Sequence, residues 1–302
     1  MASKDFPGTT FVWDGRRWDG FAFREDDIVI TTAPKCGTTW MQMQVALLLF
    51  RTPELPAPLA ELSPWLDMNT RPLDDVRAQL DAQTHRRFIK THLPVDLLPW
   101  DERVTYVHVA RDPRDAACSW DSHFLNIDLV RLFDLRLAAV GADDLEGLGD
   151  PGPPMLETED ERFWQYMEGH DPTRMSMLEQ LVHHSATAWA AADRPNVHRF
   201  HYAAMRSDPA GEMARLAGAL GVDPPTPELV AASDFRAMKA RSEELVPNSD
   251  VALFTSSDKF FDKARSGDWR SIIGDEGARY EAALRTATTD DNLIAWLHQG
   301  ST

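Results

Sequence analysis

One stretch decides the fold: Ile28-Val29-Ile30-Thr31-Thr32-Ala33-Pro34-Lys35-Cys36-Gly37-Thr38-Thr39-Trp40. Its apolar start predicts a strand, its centre a tight turn with a lysine, and its end the first turn of a helix. Backbone N–H groups at a helix N-terminus, together with one ammonium, bind a phosphate-like anion. A triphosphate loop carries its lysine after a second glycine, whereas Lys35 precedes the only glycine here, so a triphosphate fits poorly.

Strands and helices alternate along the rest of the chain. The helix that Asp112 caps begins at Pro113, and Asp115 is expected to complete a capping box. The alternation predicts an α/β, P-loop-like three-layer fold with a central parallel sheet flanked by helices. In such sheets ligands bind at the carboxyl ends of the strands. Strands are predicted over Ile28–Thr32, Arg87–Thr91, Val104–Ala110 and Asn196–Tyr202, and helices over Thr38–Phe50, Pro113–His123, Met177–Ala192 and Pro209–Gly221.

Composition narrows the classes of function. The 302 residues, 43% of them hydrophobic, are enough for one large α/β domain or for two small ones. We expect a single domain spanning 1–302. A net charge of −17 disfavours nucleic-acid binding, because no broad basic surface is available. The sequence has no run of about 18 apolar residues, so no transmembrane span is predicted. The N-terminus lacks a secretory apolar region. A cytoplasmic protein is expected.

The two cysteines, Cys36 and Cys118, are expected to be free thiols. Cys36 lies within the anion loop, where a lysine and a helix N-terminus are expected to lower its pKa. Even so, we interpret this residue as a backbone donor and not as a nucleophile.

The segment from about 125 to 175 departs from the α/β pattern. It contains Gly-Asp-Pro-Gly-Pro-Pro and an acidic run, which predict a loop-rich insertion. Two interpretations stay open. The insertion covers the active site, or it is a solvated excursion with no role.

Four segments together resemble one family. Pro34 to Trp40 resembles the 5′-phosphosulfate loop of sulfotransferases that use 3′-phosphoadenosine 5′-phosphosulfate (PAPS). Three further segments agree with that family in order and spacing. The sequences near Ser63–Leu66 and His85–Phe88 are similar to those of actinobacterial glycolipid sulfotransferases. The resemblance implies sulfuryl transfer from PAPS to an acceptor hydroxyl. The three segments are Lys90-Thr91-His92-Leu93-Pro94, Arg111-Asp112-Pro113-Arg114-Asp115 through Ser119, and Gly267-Asp268-Trp269-Arg270.

The resemblance implies three catalytic residues. His92 is the general base, and its ordinary pKa near 6.5 suits removal of a proton from an alcohol. Lys35 stabilises the oxygen that leaves sulfur, and Lys90 stabilises the group in transfer. Because a sulfuryl group carries less charge than a phosphoryl group, no metal is expected, and the adjacent His183 and His184 are interpreted as surface or core histidines.

The resemblance also implies a nucleotide site. Residues of the loop hold the 5′-phosphate, Arg111 and Ser119 grip the 3′-phosphate, and aromatic residues contact adenine. The nucleotide-binding candidates are Lys35, Cys36, Gly37, Thr38, Thr39, Trp40, Arg111, Ser119, Tyr202, Ser233, Phe235, Lys263 and Arg265.

The last segment departs from the family pattern Phe-x-Arg-Lys-Gly-x-x-Gly-Asp-Trp. Asp262 replaces the arginine and Ala264 the first glycine. An acid facing the 3′-phosphate would repel it. We therefore predict that Asp262 points away and that Lys263 or Arg265 supplies the cation. The family's C-terminal dimer motif is not recognisable, so the oligomeric state stays open.

Two other classes of protein compete with this interpretation. A small-molecule kinase needs a triphosphate loop, which is absent, and a non-catalytic nucleotide-binding scaffold does not need His92. The acceptor is expected to be a small molecule with a hydroxyl, first a lipid or glycolipid alcohol and then a phenol or sterol. Candidates for an apolar acceptor pocket, or equally for the core, are Trp65, Phe124, Phe163, Trp164, Tyr166 and Met167.

Overall fold

The computed structural model describes residues 4–143, 156–246, 251–261 and 266–300. Four parallel strands form one sheet in the order β2-β1-β3-β4. All four strands end at the residue predicted or one before it, because their apolar, β-branched residues suit a sheet buried on both faces. The strands are β1 (Ile28–Thr31), β2 (Phe88–Thr91), β3 (Thr105–Ala110) and β4 (Val197–His201).

Helices connect and flank the strands. The helix α1 spans the predicted residues and starts at a glycine N-cap, whereas α9 ends at Gly221 in the left-handed conformation. The helices are α1 (Thr38–Phe50), α2 (Leu59–Leu62), α3 (Leu73–Ala82), α4 (Pro113–Phe124), α5 (Leu129–Val140), α6 (Glu159–Glu168), α7 (Met177–Ala190), α8 (Tyr202–Ser207), α9 (Pro209–Leu220), α10 (Pro227–Ala232), α11 (Phe235–Ala240), α12 (Ser242–Leu245), α13 (Ser257–Phe260), α14 (Trp269–Ile273), α15 (Gly277–Ala287) and α16 (Asp291–Gln299).

Apolar residues pack against both faces of the sheet. Ile28 and Ile30 point to the face covered by α1 and α9, whereas Val29 points to the opposite face with Ile89 and Tyr106. A further core joins α4, α6 and α7 to α15 and α16. Helices on both faces of a parallel sheet make three layers, so the predicted α/β fold is confirmed.

Strand β4 ends one residue before the predicted end. The strand β4 stops at His201, and Tyr202 begins the helix α8 instead of ending the strand. The cause is a cap: the Nδ1 atom of His201 accepts a hydrogen bond from the backbone N–H of Ala203 at 3.2 Å.

The capping box predicted at α4 is also wrong. Asp112 is the N-cap and Pro113 follows it, as expected. The Asp115 carboxylate, however, turns inward and accepts a hydrogen bond from the backbone N–H of Gly267 at 2.7 Å. A contact with a distant segment has replaced the local one.

The segment 125–175 is less loop-rich than predicted, because α5 and α6 occupy part of it. Asp128 caps α5, and a capping box of Thr158 and Glu161 starts α6. Residues 144–155 of this segment lie outside the described residues.

Candidate active site

The loop after β1 has a fixed and unusual backbone. Lys35 adopts φ 66° and Gly37 adopts φ 110°, both in the left-handed region. A Cβ atom on Gly37 would come within 3.0 Å of the Tyr202 ring. Any side chain here would therefore strain the backbone and crowd that ring. The Arg111 guanidinium donates a hydrogen bond to the Lys35 carbonyl at 2.9 Å. The turn is therefore held by residues that follow β3 and β4.

A cavity of about 820 Å³ opens at the carboxyl ends of the strands. Each strand delivers residues to it: the loop after β1, Lys90 of β2 and His92 directly after it, Arg111 after β3, and Tyr202 after β4. The predicted site residues that line this cavity are Lys35, Gly37, Thr38, Thr39, Trp40, Lys90, His92, Arg111, Ser119, Tyr202, Ser233 and Phe235. Sheet topology thus brings the loop at Lys35 next to Tyr202, which lies 167 positions further along the chain.

Cys36 is the described candidate whose side chain lies away from the cavity wall. It is fully buried in the core beside α4 and α6. Burial raises the pKa of its thiol to about 12, although the nearby Arg111 and Lys35 oppose the rise. The expectation of a lowered pKa is therefore wrong, because the side chain points into an apolar environment and not toward the anion site.

His92 is buried and held in one orientation. Its Nδ1 atom lies 2.7 Å from the carbonyl oxygen of Thr32. A carbonyl only accepts, so Nδ1 carries the proton and Nε2 keeps its lone pair. Burial, followed by the charge of Lys90 and then Lys35, lowers the pKa of His92 well below its usual value. The imidazole is neutral at pH 7 and able to accept a proton.

Three cations converge on the same side of the cavity. Burial first, and then Arg111 and Lys90, lower the pKa of Lys35 to about 7. Burial lowers the pKa of Lys90 to about 8, against the opposing charge of Asp67. The Lys90 ammonium lies 3.9 Å from the centre of the Trp65 ring. Crowded, desolvated cations of this kind form a site that an anion would stabilise.

Aromatic residues form the next part of the wall. The Arg111 guanidinium lies over the Tyr202 ring at 4.4 Å, and Tyr202 meets Trp40 edge to face at 5.3 Å. Ser233 is buried and its hydroxyl donates to the Val230 carbonyl at 2.8 Å. These residues offer flat surfaces of the kind on which a nucleobase packs.

The segment near Gly267 is attached to α4. Besides the bond from Gly267 to Asp115, the Arg206 guanidinium donates to the Ser266 hydroxyl at 2.9 Å. Both Asp115 and Arg206 line the cavity. The predictions for Asp262, Ala264, Lys263 and Arg265 lie outside the described residues.

Several residues that line the cavity were not among the predicted site residues. Trp13, His123, Phe254 and Phe260 line the cavity, and Trp13 and Trp65 both pack against His92. Only His123 had a local signal, because it follows Ser119 by one helical turn. Among the acceptor candidates, Trp65 lines the cavity, whereas four residues of α6 are buried in the core: Phe163, Trp164, Tyr166 and Met167.

The two adjacent histidines have separate surroundings. His183 lies 3.1 Å from the Asp96 carboxylate, and His184 is buried with Nε2 3.3 Å from the Thr31 hydroxyl. Within the described ranges no three His, Cys, Asp or Glu side chains are grouped as a metal site would require. In the same ranges no helix has the length and apolar character needed to cross a membrane.

Comparison with known proteins identifies the family. The model of the sulfotransferase domain matches residues 25–281, so the chain belongs to the sulfotransferase family, as its motifs predicted. A glycolipid sulfotransferase of Mycobacterium bovis is 37% identical over 305 residues, covering 95% of this chain and 92% of that protein. Human sulfotransferase 1E1 is 24% identical over 268 residues, covering 84% of this chain and 81% of that protein.

A solved structure supports the fold. Mouse sulfotransferase SULT7A1, crystallised with PAP, superposes with a TM-score of 0.66 at 19% identity, covering 93% of this chain and 90% of that one. This likeness supports the α/β fold, and the match to the domain model makes the chain a transferase of the sulfotransferase class.

Proposed function

We propose that this sulfotransferase transfers a sulfuryl group from PAPS to an acceptor hydroxyl and releases adenosine 3′,5′-bisphosphate (PAP). One observation carries the proposal: Lys35, Lys90 and a His92 oriented by the Thr32 carbonyl converge at one cavity. The cavity suits a polyanionic nucleotide, because it combines buried cations, a helix N-terminus and a glycine at the loop. A scaffold would have no use for an oriented base.

The residues divide the reaction between them. His92 Nε2 takes the proton from the acceptor hydroxyl as its oxygen forms a bond to sulfur. The bond from sulfur to the 5′-phosphate oxygen breaks, and the electron pair stays on that phosphate. Lys35 stabilises this growing charge, and Lys90 stabilises the sulfuryl oxygens. Thr38 and Thr39 hold the 5′-phosphate, and Arg111 with Ser119 the 3′-phosphate.

We also propose a lipid or glycolipid alcohol as the acceptor. The similarity to the mycobacterial glycolipid sulfotransferases supports this class, as does the aromatic wall. Ile127, Leu132 and Glu159 of the segment 125–175 line the cavity, which supports a covering role for that segment within one domain. A cytoplasmic location is proposed as well, because Cys36 and Cys118 are free thiols.

Replacement of His92, the proposed general base, tests this function. His92→Ala should lower the rate of transfer of labelled sulfate from PAPS to an accepted alcohol by about 10²-fold or more. The affinity for PAP, measured by calorimetry, should stay within a few-fold of wild type and serves as the control for folding. Near wild-type transfer by the variant would refute the assignment of His92.

A further inference from the structure

His123 is a second histidine in the wall of the cavity, outside the mechanism described above. It lies on α4, one turn beyond Ser119, and lines the same cavity as His92. Its neighbours are aromatic. The centre of its ring lies 5.3 Å from that of Phe254, 5.6 Å from Phe260 and 6.0 Å from Trp120.

One ring nitrogen of His123 has unused hydrogen-bonding capacity. Its Nδ1 atom is buried and has no hydrogen-bond partner among the described residues. A buried polar group without a partner costs free energy, and a phenylalanine would fill the same aromatic pocket without that cost. A polar ring at this place is therefore best explained by a partner that arrives with the substrate.

His123 differs from His92 in what orients it. The Thr32 carbonyl fixes the tautomer of His92, whereas aromatic rings surround His123. Burial, followed by Lys35, Lys90 and His92, lowers the pKa of His123 well below its usual value. A neutral imidazole has one donor and one acceptor nitrogen, which suits a hydroxyl group better than an anion.

We propose that His123 forms a hydroxyl-binding subsite, in which its imidazole hydrogen-bonds a second, non-reacting hydroxyl of the acceptor. The subsite favours a polyhydroxylated acceptor, the sugar head group of a glycolipid, over a plain alcohol with the same tail. This inference rests on the proposed function and narrows its acceptor class. The hydroxyl that reacts stays with His92, and the hydroxyl that His123 binds sets the orientation of the sugar.

The experiment compares two acceptors with the same eight-carbon tail, octyl β-glucoside and 1-octanol, at saturating PAPS. His123→Phe should lower kcat/KM for octyl glucoside about tenfold, the effect of one lost hydrogen bond, and change that for octanol less than twofold. His123→Gln, which keeps a polar group, should recover much of the loss. His170→Phe removes an exposed histidine outside the cavity wall and is the matched control.

Several results would overturn the subsite. They are an equal loss with both acceptors, no loss with either, or a wild-type preference for octanol. PAP affinity measured on each variant shows whether it is folded. Failure of the wild type to sulfate any alcohol or phenol would instead refute the proposed function, so the two failures are distinguishable.

Discussion

Lys35 should take up a proton when the nucleotide product binds. Burial beside Arg111 and Lys90 lowers its pKa from 10.5 to about 7, so at pH 8 only about a tenth of the free protein carries charge here. A bound phosphate restores the charged form, because opposite charges favour ionisation. The expected uptake by Lys35 at pH 8 is about 0.9 proton per PAP bound.

Calorimetry in two buffers of different ionisation enthalpy measures this uptake. At pH 8 the phosphates of PAP are already ionised, since their second pKa is about 6, and they do not obscure the result. Lys35→Met should take up about 0.9 proton fewer than wild type. Lys259→Met, which removes an exposed lysine from the same cavity wall, should behave as wild type. Equal uptake by wild type and Lys35→Met would refute the reasoning.

The same shift predicts how stability depends on pH. The folded protein holds Lys35 at a pKa below its unfolded value, so between pH 7 and 10.5 the unfolded chain binds more protons. The contribution of this residue to the free energy of unfolding therefore rises with pH across that window. Bound PAP should reduce the rise, and Lys35→Met should abolish it, as chemical denaturation at several pH values would show.

Two substitutions test the geometry of the loop. Gly37→Ala should lower the free energy of unfolding by about 1–2 kcal/mol through left-handed strain and weaken PAP binding. Gly221→Ala also places a side chain at a positive φ, with no atom within 4 Å, and should leave PAP affinity unchanged. Equal losses of affinity in the two variants would contradict this. Arg111→Lys keeps the charge but loses the planar guanidinium that reaches the Lys35 carbonyl. The affinity for PAP, measured by calorimetry, should therefore fall about tenfold or more. Retained affinity would count against the role of the guanidinium.

The anion loop and the parallel sheet were predictable because their signals are local. The span of α1 follows from the glycine before it and the apolar residues within it, and the ends of β1, β2 and β3 follow from β-branched runs. The prediction failed where a distant contact replaced a local one, as for Asp115, which binds Gly267. It failed also where a cap was not recognised, as at His201.

The aromatic wall around His92 and His123 was the least predictable part of the cavity. Trp13 and Phe254 lie outside the motifs, and neither residue type carries a functional signal by itself. The aromatic residues of α6 were equal candidates for pocket and core, and packing against α4 and α7 buries them. Burial of this kind depends on the whole fold, which a single segment does not encode.

The sequence alone determined the family and the class of donor, and it singled out Lys35, Lys90 and His92 as the catalytic candidates, because short motifs indicate the chemistry of an anion loop and a base. Tertiary structure decided the protonation of those groups. Burial and mutual repulsion bring the pKa of Lys35 to about 7, and the Thr32 carbonyl selects the tautomer of His92. It also decided that His123 lines the same cavity as His92, because only the packed sheet brings α4, Phe254 and Phe260 around one cavity.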